Sequence, residues 1–192
     1  MMTNSTDLSW FPMRATYSRE LLIKSELDRL GIECFLPLKS CWVKKGMGEE
    51  LRQVPAVHNL IFVHSTQQRL TELKRSCSQL EPLRYMTRPS THDNGQVIIR
   101  IPDTQMSAFL RLSSLAADER IVFFENMQFV SKPGPRVEIT QGDFAGIIGE
   151  VKRIKGLRCV AVCVEGVAAV GIMDVPNSQL RYLDERKQKP QN

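Results

Sequence analysis

Apolar positions follow two different regimes along this chain. Up to about residue 115 they recur at helical spacing in three segments, separated by short runs that read as strands. "YSRELLIKSELDRLG" puts Ile23, Leu27 and Leu30 on one helical face, with Ser18 as a candidate cap and Gly31 as the stop. "QQRLTELKRSCSQL" (67–80) presents Leu70, Leu73, Cys77 and Leu80 together. In "PDTQMSAFLRLSS" (102–114) Asp103 can cap a helix whose stripe is Met106, Phe109 and Leu110. Strand candidates are "WFPMRAT" (10–16), "IECFLPL" (32–38), "VHNLIFVHS" (57–65), "LRYMTR" and "QVIIRI", the last two around the turn-rich "PSTHDNG". Pro12 has no amide to donate, which predicts an edge strand or a bulge there. "KKGMGEELRQ" reads as a loose loop or a hairpin tip. The order predicts an α+β domain over residues 1–115, a mixed antiparallel sheet flanked by helices.

From Val137 onward every apolar run is short, β-branched and punctuated by glycine: "VEI", "GIIGEVKRI", "CVAVCV", "AAVGIMDV", "LRYL". Such closely spaced strands predict a small SH3-like β-barrel over 133–185, followed by a polar tail, 186–192. Residues 116–132 are left as a linker. Its apolar stretch "IVFFENMQFV" is unusual for one and either packs on the first domain or pairs as a strand.

Composition narrows the chemistry. A net charge of +5 and a pI near 9.1 mildly favour a nucleic-acid partner. The five cysteines are scattered without a C-x-x-C pair, which argues against a disulfide framework and a zinc site. His58, His64 and His92 complete no catalytic triad or metal-ligand pattern, so no enzyme activity and no cofactor are expected. No apolar run reaches the roughly 18 to 20 residues of a membrane span. The amino terminus reads as neither basic nor apolar enough for a signal peptide, which predicts a cytoplasmic protein.

"VEITQGDFAGIIGEVKRIKG" resembles a KOW motif, the strand, glycine loop and strand of SH3-like barrels in the NusG family and several ribosomal proteins. Gly142, Gly146 and Gly149 match its glycines, Phe144 its loop aromatic and Val151 its following strand position. Asp143 stands where such loops commonly carry proline. In physical terms Gly142 can take φ > 0, while Gly149 lets the returning strand approach its neighbour closely. Ahead of it, Trp10, Phe11, Arg14 and Tyr17 match the first strand and helix entry of the NusG amino-terminal domain, Phe35 and Pro37 its second strand, and "VPAVHNLIFV" its central strand. His58, Asn59 and Leu60 replace the family's usual proline, glycine and aromatic, and Asn59 can still adopt a left-handed conformation. The chain therefore resembles the NusG family over nearly its whole length. Within it, "MTRPSTHDNGQVIIRIPDTQMSAFLRL" resembles the specialised paralogues of the RfaH and UpxY type.

The resemblance implies a monomeric, operon-specific transcription elongation and antitermination factor serving polysaccharide biosynthesis operons. Its first domain would bind the clamp helices of RNA polymerase through Trp10, Phe11, Arg14, Tyr17 and Phe62, whose alternative role is core packing. Arg69, Lys74 and Arg75 on the second helix are candidates for non-template or upstream DNA, or else a solvated face. Lys152, Arg153, Lys155 and Arg158 form the barrel's densest basic cluster, suited to nascent RNA, the ribosome or another factor. A ribosome-associated KOW protein binding structured RNA is the competing reading, and it calls for more Lys and Arg than +5 over 192 residues.

Overall fold

The computed structural model describes residues 7–124, 133–154, 157–164 and 166–183. Two compact units divide the chain, Met1–Met106 and Ser107–Asn192. The architecture is mixed α+β, with three helices and every ladder antiparallel among the described residues.

In the first unit β1 (Ser9–Ala15), β2 (Cys34–Phe35), β5 (Leu60–Ser65) and β6 (Leu83–Tyr85) form one sheet in the order β2-β5-β1-β6. Period-two alternation sends Phe11, Met13 and Ala15 of β1 to the same face as Ile61 and Val63 of β5. That face packs with Ile23 and Leu27 of α1 (Glu20–Arg29) and Leu70 of α2 (Gln67–Ser76) into a fully buried core. Trp10, Pro12, Leu60 and Phe62 occupy the opposite face and are also buried. Two hairpins complete the unit: β3 (Leu38–Lys45) with β4 (Gly48–Pro55), and β7 (Thr87–Pro89) with β8 (Gln96–Ile98).

Three local expectations are corrected. Pro12 lies inside a central strand, at the point where the β6 ladder ends. Its carbonyl accepts the Met86 N–H at 3.2 Å, and the Met86 carbonyl, which Pro12 cannot serve, instead accepts the Ile99 N–H at 2.9 Å. Satisfying that acceptor from another segment is what makes proline tolerable there. Ser18 does not cap α1: it has φ +52° in a 3₁₀ turn over Thr16–Ser18, and the helix begins beyond it without a side-chain cap. α3 (Asp103–Ser113) buries Met106, Phe109 and Leu112, whereas Leu110 is only partly covered. Thr66 caps α2, its hydroxyl accepting the Arg69 N–H at 3.2 Å.

The second unit is a six-stranded sheet in the order β14-β10-β11-β12-β13-β9, from β9 (Ile121–Phe124), β10 (Arg136–Ile139), β11 (Ile148–Ile154), β12 (Leu157–Val164), β13 (Ala168–Met173) and β14 (Leu180–Tyr182). The apolar patch after α3 thus pairs as a strand on β13, Phe123 opposite Val170. One sheet face carries Val137, Val151, Val160, Val162, Val170 and Ile172. The other carries Lys152, Cys159, Ala161 and Cys163, with Phe124 and Met173 packed against the thiols. Phe109 meets Phe123 edge-on at 6.5 Å, so the end of α3 packs within this unit. The division between units accordingly falls within α3, ahead of the 116–132 segment where the sequence pattern puts a linker.

Candidate functional site

The five aromatic and basic residues proposed to meet a polymerase do not form one surface. Phe11 and Phe62 are completely buried, on opposite faces of the sheet, and Trp10 is nearly so. Trp10 stacks on the His64 ring at 4.8 Å, and Glu33 Oε2 lies 2.6 Å from His64 Nδ1. Phe11 contacts Tyr85 edge-on at 5.7 Å, with the Arg100 guanidinium 5.5 Å from its ring. These three are core residues for a physical reason: alternation along β1 and β5 points them into the two packed faces of a central sheet pair.

Tyr17 and Arg14 remain at the surface. Tyr17 is 80% exposed and sits at φ +65°, followed by Ser18 at φ +52°, in two consecutive left-handed positions that L residues rarely adopt. Just beyond, Leu21 and Leu22 of α1 are also exposed. The chain thereby displays an aromatic ring and two leucines where nothing in the first unit's core requires them.

The neighbouring turn is held by a buried carboxylate. Glu20 Oε1 accepts the Asn59 N–H at 2.8 Å and lies 3.7 Å from His58 Nδ1. Asn59 takes φ +56°, and its carbonyl accepts the Ala15 N–H at 3.1 Å. Asparagine thus reproduces the left-handed turn that glycine would supply. Glu20 was not singled out by the sequence pattern; its position at the first residue of a helix is the signal that could have found it, because the positive end of the helix dipole favours a carboxylate there.

Among the basic candidates, Arg69 and Arg75 are exposed on α2, while Lys74 is partly buried with its ammonium 5.0 Å from the Tyr85 ring. Burial, and then the nearby Arg84, lower the Lys74 pKa. In the second unit, Lys152 is not on a solvated surface. Its side chain is 5% exposed and pairs with Glu150 at 2.7 Å, because residue 152 shares the thiol-bearing face opposite Cys159. Arg153 is exposed, Arg158 bonds Asn177 and the Val175 carbonyl, and Lys155 lies outside the described residues.

The glycine loop between β10 and β11 turns on two left-handed glycines. Gly142 and Gly146 have φ of +78° and +80°. Phe144 is buried beneath Arg120, whose guanidinium lies 4.7 Å from the ring, and Arg111 donates to the Ala145 carbonyl at 2.7 Å. Gly149 is needed for a different reason, since a Cβ there would lie 2.8 Å from the Ala161 carbonyl oxygen.

Residues 8–110, more than half of the 192, match the family model of the transcription termination factor NusG. The chain belongs to the NusG family. That family is a non-enzymatic family of transcription factors that bind RNA polymerase. A solved structure described as "Domain interaction in Thermotoga maritima NusG" is similar to this NusG-family chain at 14% identity and a TM-score of 0.45, covering 94% of this chain and 100% of that one. No curated protein matches it. Among the described residues no helix is long and apolar enough to cross a membrane, and no group of three or more His, Cys, Asp or Glu is placed to hold a metal ion.

Proposed function

We propose that this NusG-family chain is an operon-specific elongation and antitermination factor of the RfaH and UpxY type. Residues 1–115 act as the polymerase-binding domain, and 133–185, extended by β9, as a KOW domain that recruits a second partner. The observation that carries the placement of the polymerase contact is the display of Tyr17 in a left-handed turn, 80% exposed and followed by exposed Leu21 and Leu22. Conformations of this kind persist only where surrounding structure imposes them, and they gather at functional sites. Arg14 adds an exposed cation three residues before Tyr17, whereas Trp10, Phe11 and Phe62 are buried in the two packed faces of the sheet and drop out of the contact. The clamp helices of RNA polymerase are the apolar partner this surface takes.

The mechanism requires no covalent chemistry. A factor that binds the closed, elongating conformer of the polymerase better than the open, paused one shifts the population by its differential affinity. Arg69, Lys74 and Arg75 face non-template or upstream DNA in this reading, and Arg153 with Arg158 faces RNA or a protein recruited by the second unit. The segment 86–112, which resembles the UpxY pattern, supports operon specificity at polysaccharide biosynthesis loci.

The test uses the full chain. Tagged protein is incubated with core RNA polymerase and, separately, with ribosomes, and retention of each is measured beside Tyr17→Ala and Leu22→Ser variants. Retention of polymerase that both variants weaken, with circular dichroism unchanged, supports the reading. Retention of ribosomes alone, or polymerase binding indifferent to both variants, defeats it. In vitro elongation on templates bearing a polysaccharide operon leader, against an unrelated template, tests operon specificity.

A further inference from the structure

The segment 15–20 that carries Tyr17 begins where the strand ladders end. The last registered pair of β1 with β5 is Arg14 opposite Leu60, and the last with β6 is Ala15 opposite Leu83. Directly beyond them Tyr17 and Ser18 take φ of +65° and +52°. A free segment does not keep two consecutive L residues in the left-handed region, so its ends must be held from outside.

The start is held by two segments. The Ala15 N–H donates to the Asn59 carbonyl at 3.1 Å, while the Thr16 N–H and hydroxyl both donate to the Pro82 carbonyl, at 3.3 and 3.0 Å. The far end is held through Glu20, whose side chain is buried and whose Oε1 accepts the Asn59 N–H at 2.8 Å. Asn59 therefore grips both ends of the segment, its carbonyl at residue 15 and its N–H at residue 20. A φ of +56° sets these two groups in the directions that serve both ends. Asn59 Oδ1 is buried without a hydrogen-bond partner among the described residues, so the segment uses this residue's backbone conformation and not its side-chain carbonyl.

We propose that Glu20 and Asn59 are positioning residues for the polymerase contact: they close the 15–20 segment and hold Tyr17, with Leu21 and Leu22 of the first turn of α1, in the displayed arrangement. The inference rests on those three side chains being the contact. Neither Glu20 nor Asn59 has to touch the partner. A contact surface that is already ordered loses less conformational freedom on binding, so the clasp raises affinity without adding a contact. A carboxylate suits the role at residue 20. The positive end of the α1 dipole favours it there, and burial keeps water from competing for the Asn59 N–H.

The full chain and its variants are titrated with core RNA polymerase, with circular dichroism and amide hydrogen exchange on the same samples. Glu20→Ala should weaken binding by about fivefold or more, the scale of one interface anchor, and should speed exchange at the Asn59 and Ala15 amides. Glu20→Gln keeps an acceptor for the Asn59 N–H and should retain most of the affinity. Because Glu20 acts through Tyr17, adding Glu20→Ala to Tyr17→Ala should cost less than about a further twofold, the limit of additivity error. If Glu20→Ala does not fold, Asn59 carries the test: Asn59→Gly can take φ > 0 and should bind as wild type, whereas β-branched Asn59→Val should lose about fivefold or more. The proposal is overturned if folded Glu20→Ala binds as tightly as wild type, if its loss adds in full to that of Tyr17→Ala, if Glu20→Gln binds no better than Glu20→Ala, or if Asn59→Gly binds as weakly as Asn59→Val. Loss of affinity in Tyr17→Ala with none in Glu20→Ala defeats the clasp alone. Polymerase binding indifferent to Tyr17→Ala defeats the assignment of the contact, and the clasp with it.

Discussion

Replacing Gly149 by valine perturbs the second unit at a point where the backbone leaves no room for a side chain. Its φ is not left-handed, so the cause is steric, unlike that at Gly142. A Cβ on residue 149 meets the Ala161 carbonyl oxygen at 2.8 Å, a Val160 methyl at 2.9 Å and the Ala161 carbonyl carbon at 3.2 Å. The methyl can rotate away, but the carbonyl belongs to β12, which pairs with β11 from Glu150 opposite Ala161 to Ile154 opposite Leu157. Relief therefore requires β11 to move off β12. Overpacking of this kind costs roughly 1 to 3 kcal/mol. Alanine already carries the colliding Cβ, and the loss of unfolded-state freedom returns only about 0.4 to 1 kcal/mol, so Gly149→Ala should also destabilise, by less than Gly149→Val, which should fall in the upper part of the overpacking range. Native-state hydrogen exchange on the full chain measures it, because each 1.4 kcal/mol corresponds to about a tenfold change in the opening equilibrium. Amides of β11 and β12 should lose protection while those of β1 and β5 keep theirs. Gly142→Ala, which meets nothing within 4 Å but sits at φ +78°, separates backbone strain from collision. If Gly149→Val leaves β11 and β12 protection unchanged, the steric account of this glycine is wrong.

Further outcomes are expected elsewhere. Tyr17→Ala should weaken polymerase binding by more than about 1 kcal/mol in a direct titration while leaving thermal stability within about 0.5 kcal/mol, as expected of an exposed interface anchor. Lys152→Glu should destabilise the second unit by about 2 kcal/mol or more in denaturant titrations, since it sets two carboxylates together on a largely buried face, whereas Arg153→Glu should not. Under timed alkylation read by mass spectrometry, exposed Cys41 should be modified well before Cys34, Cys159 and Cys163, whose thiols burial pushes up to about 12, 11 and 11. Hydrogen bonds from Arg29 and then Cys77 hold Glu26 down to about 2 from an ordinary 4.5. Its contribution to stability is complete above that ordinary value and is lost as pH falls toward 2, so Glu26→Gln should flatten the acid limb of a pH–stability profile.

The class of each local element follows from neighbouring residues alone. Helical spacing located α1, α2 and α3, β-branched runs between glycines located the strands of the second unit, and the motif residues of the first 110 positions carried the family. These signals are legible because periodicity and turn chemistry act between residues near in the chain. The tertiary structure decided which of the conspicuous residues face water. Trp10, Phe11 and Phe62 are indistinguishable by type from interface anchors, and only the burial of both faces of the β1–β5 pair sends them inward. Lys152 looked solvated until strand register placed it opposite Cys159 and beside Glu150. Pro12 is admitted to a central strand because Ile99, far along the chain, takes the acceptor left by Met86. Burial, register and the satisfaction of a lone carbonyl are set by partners distant in sequence, so no reading of neighbouring residues contains them.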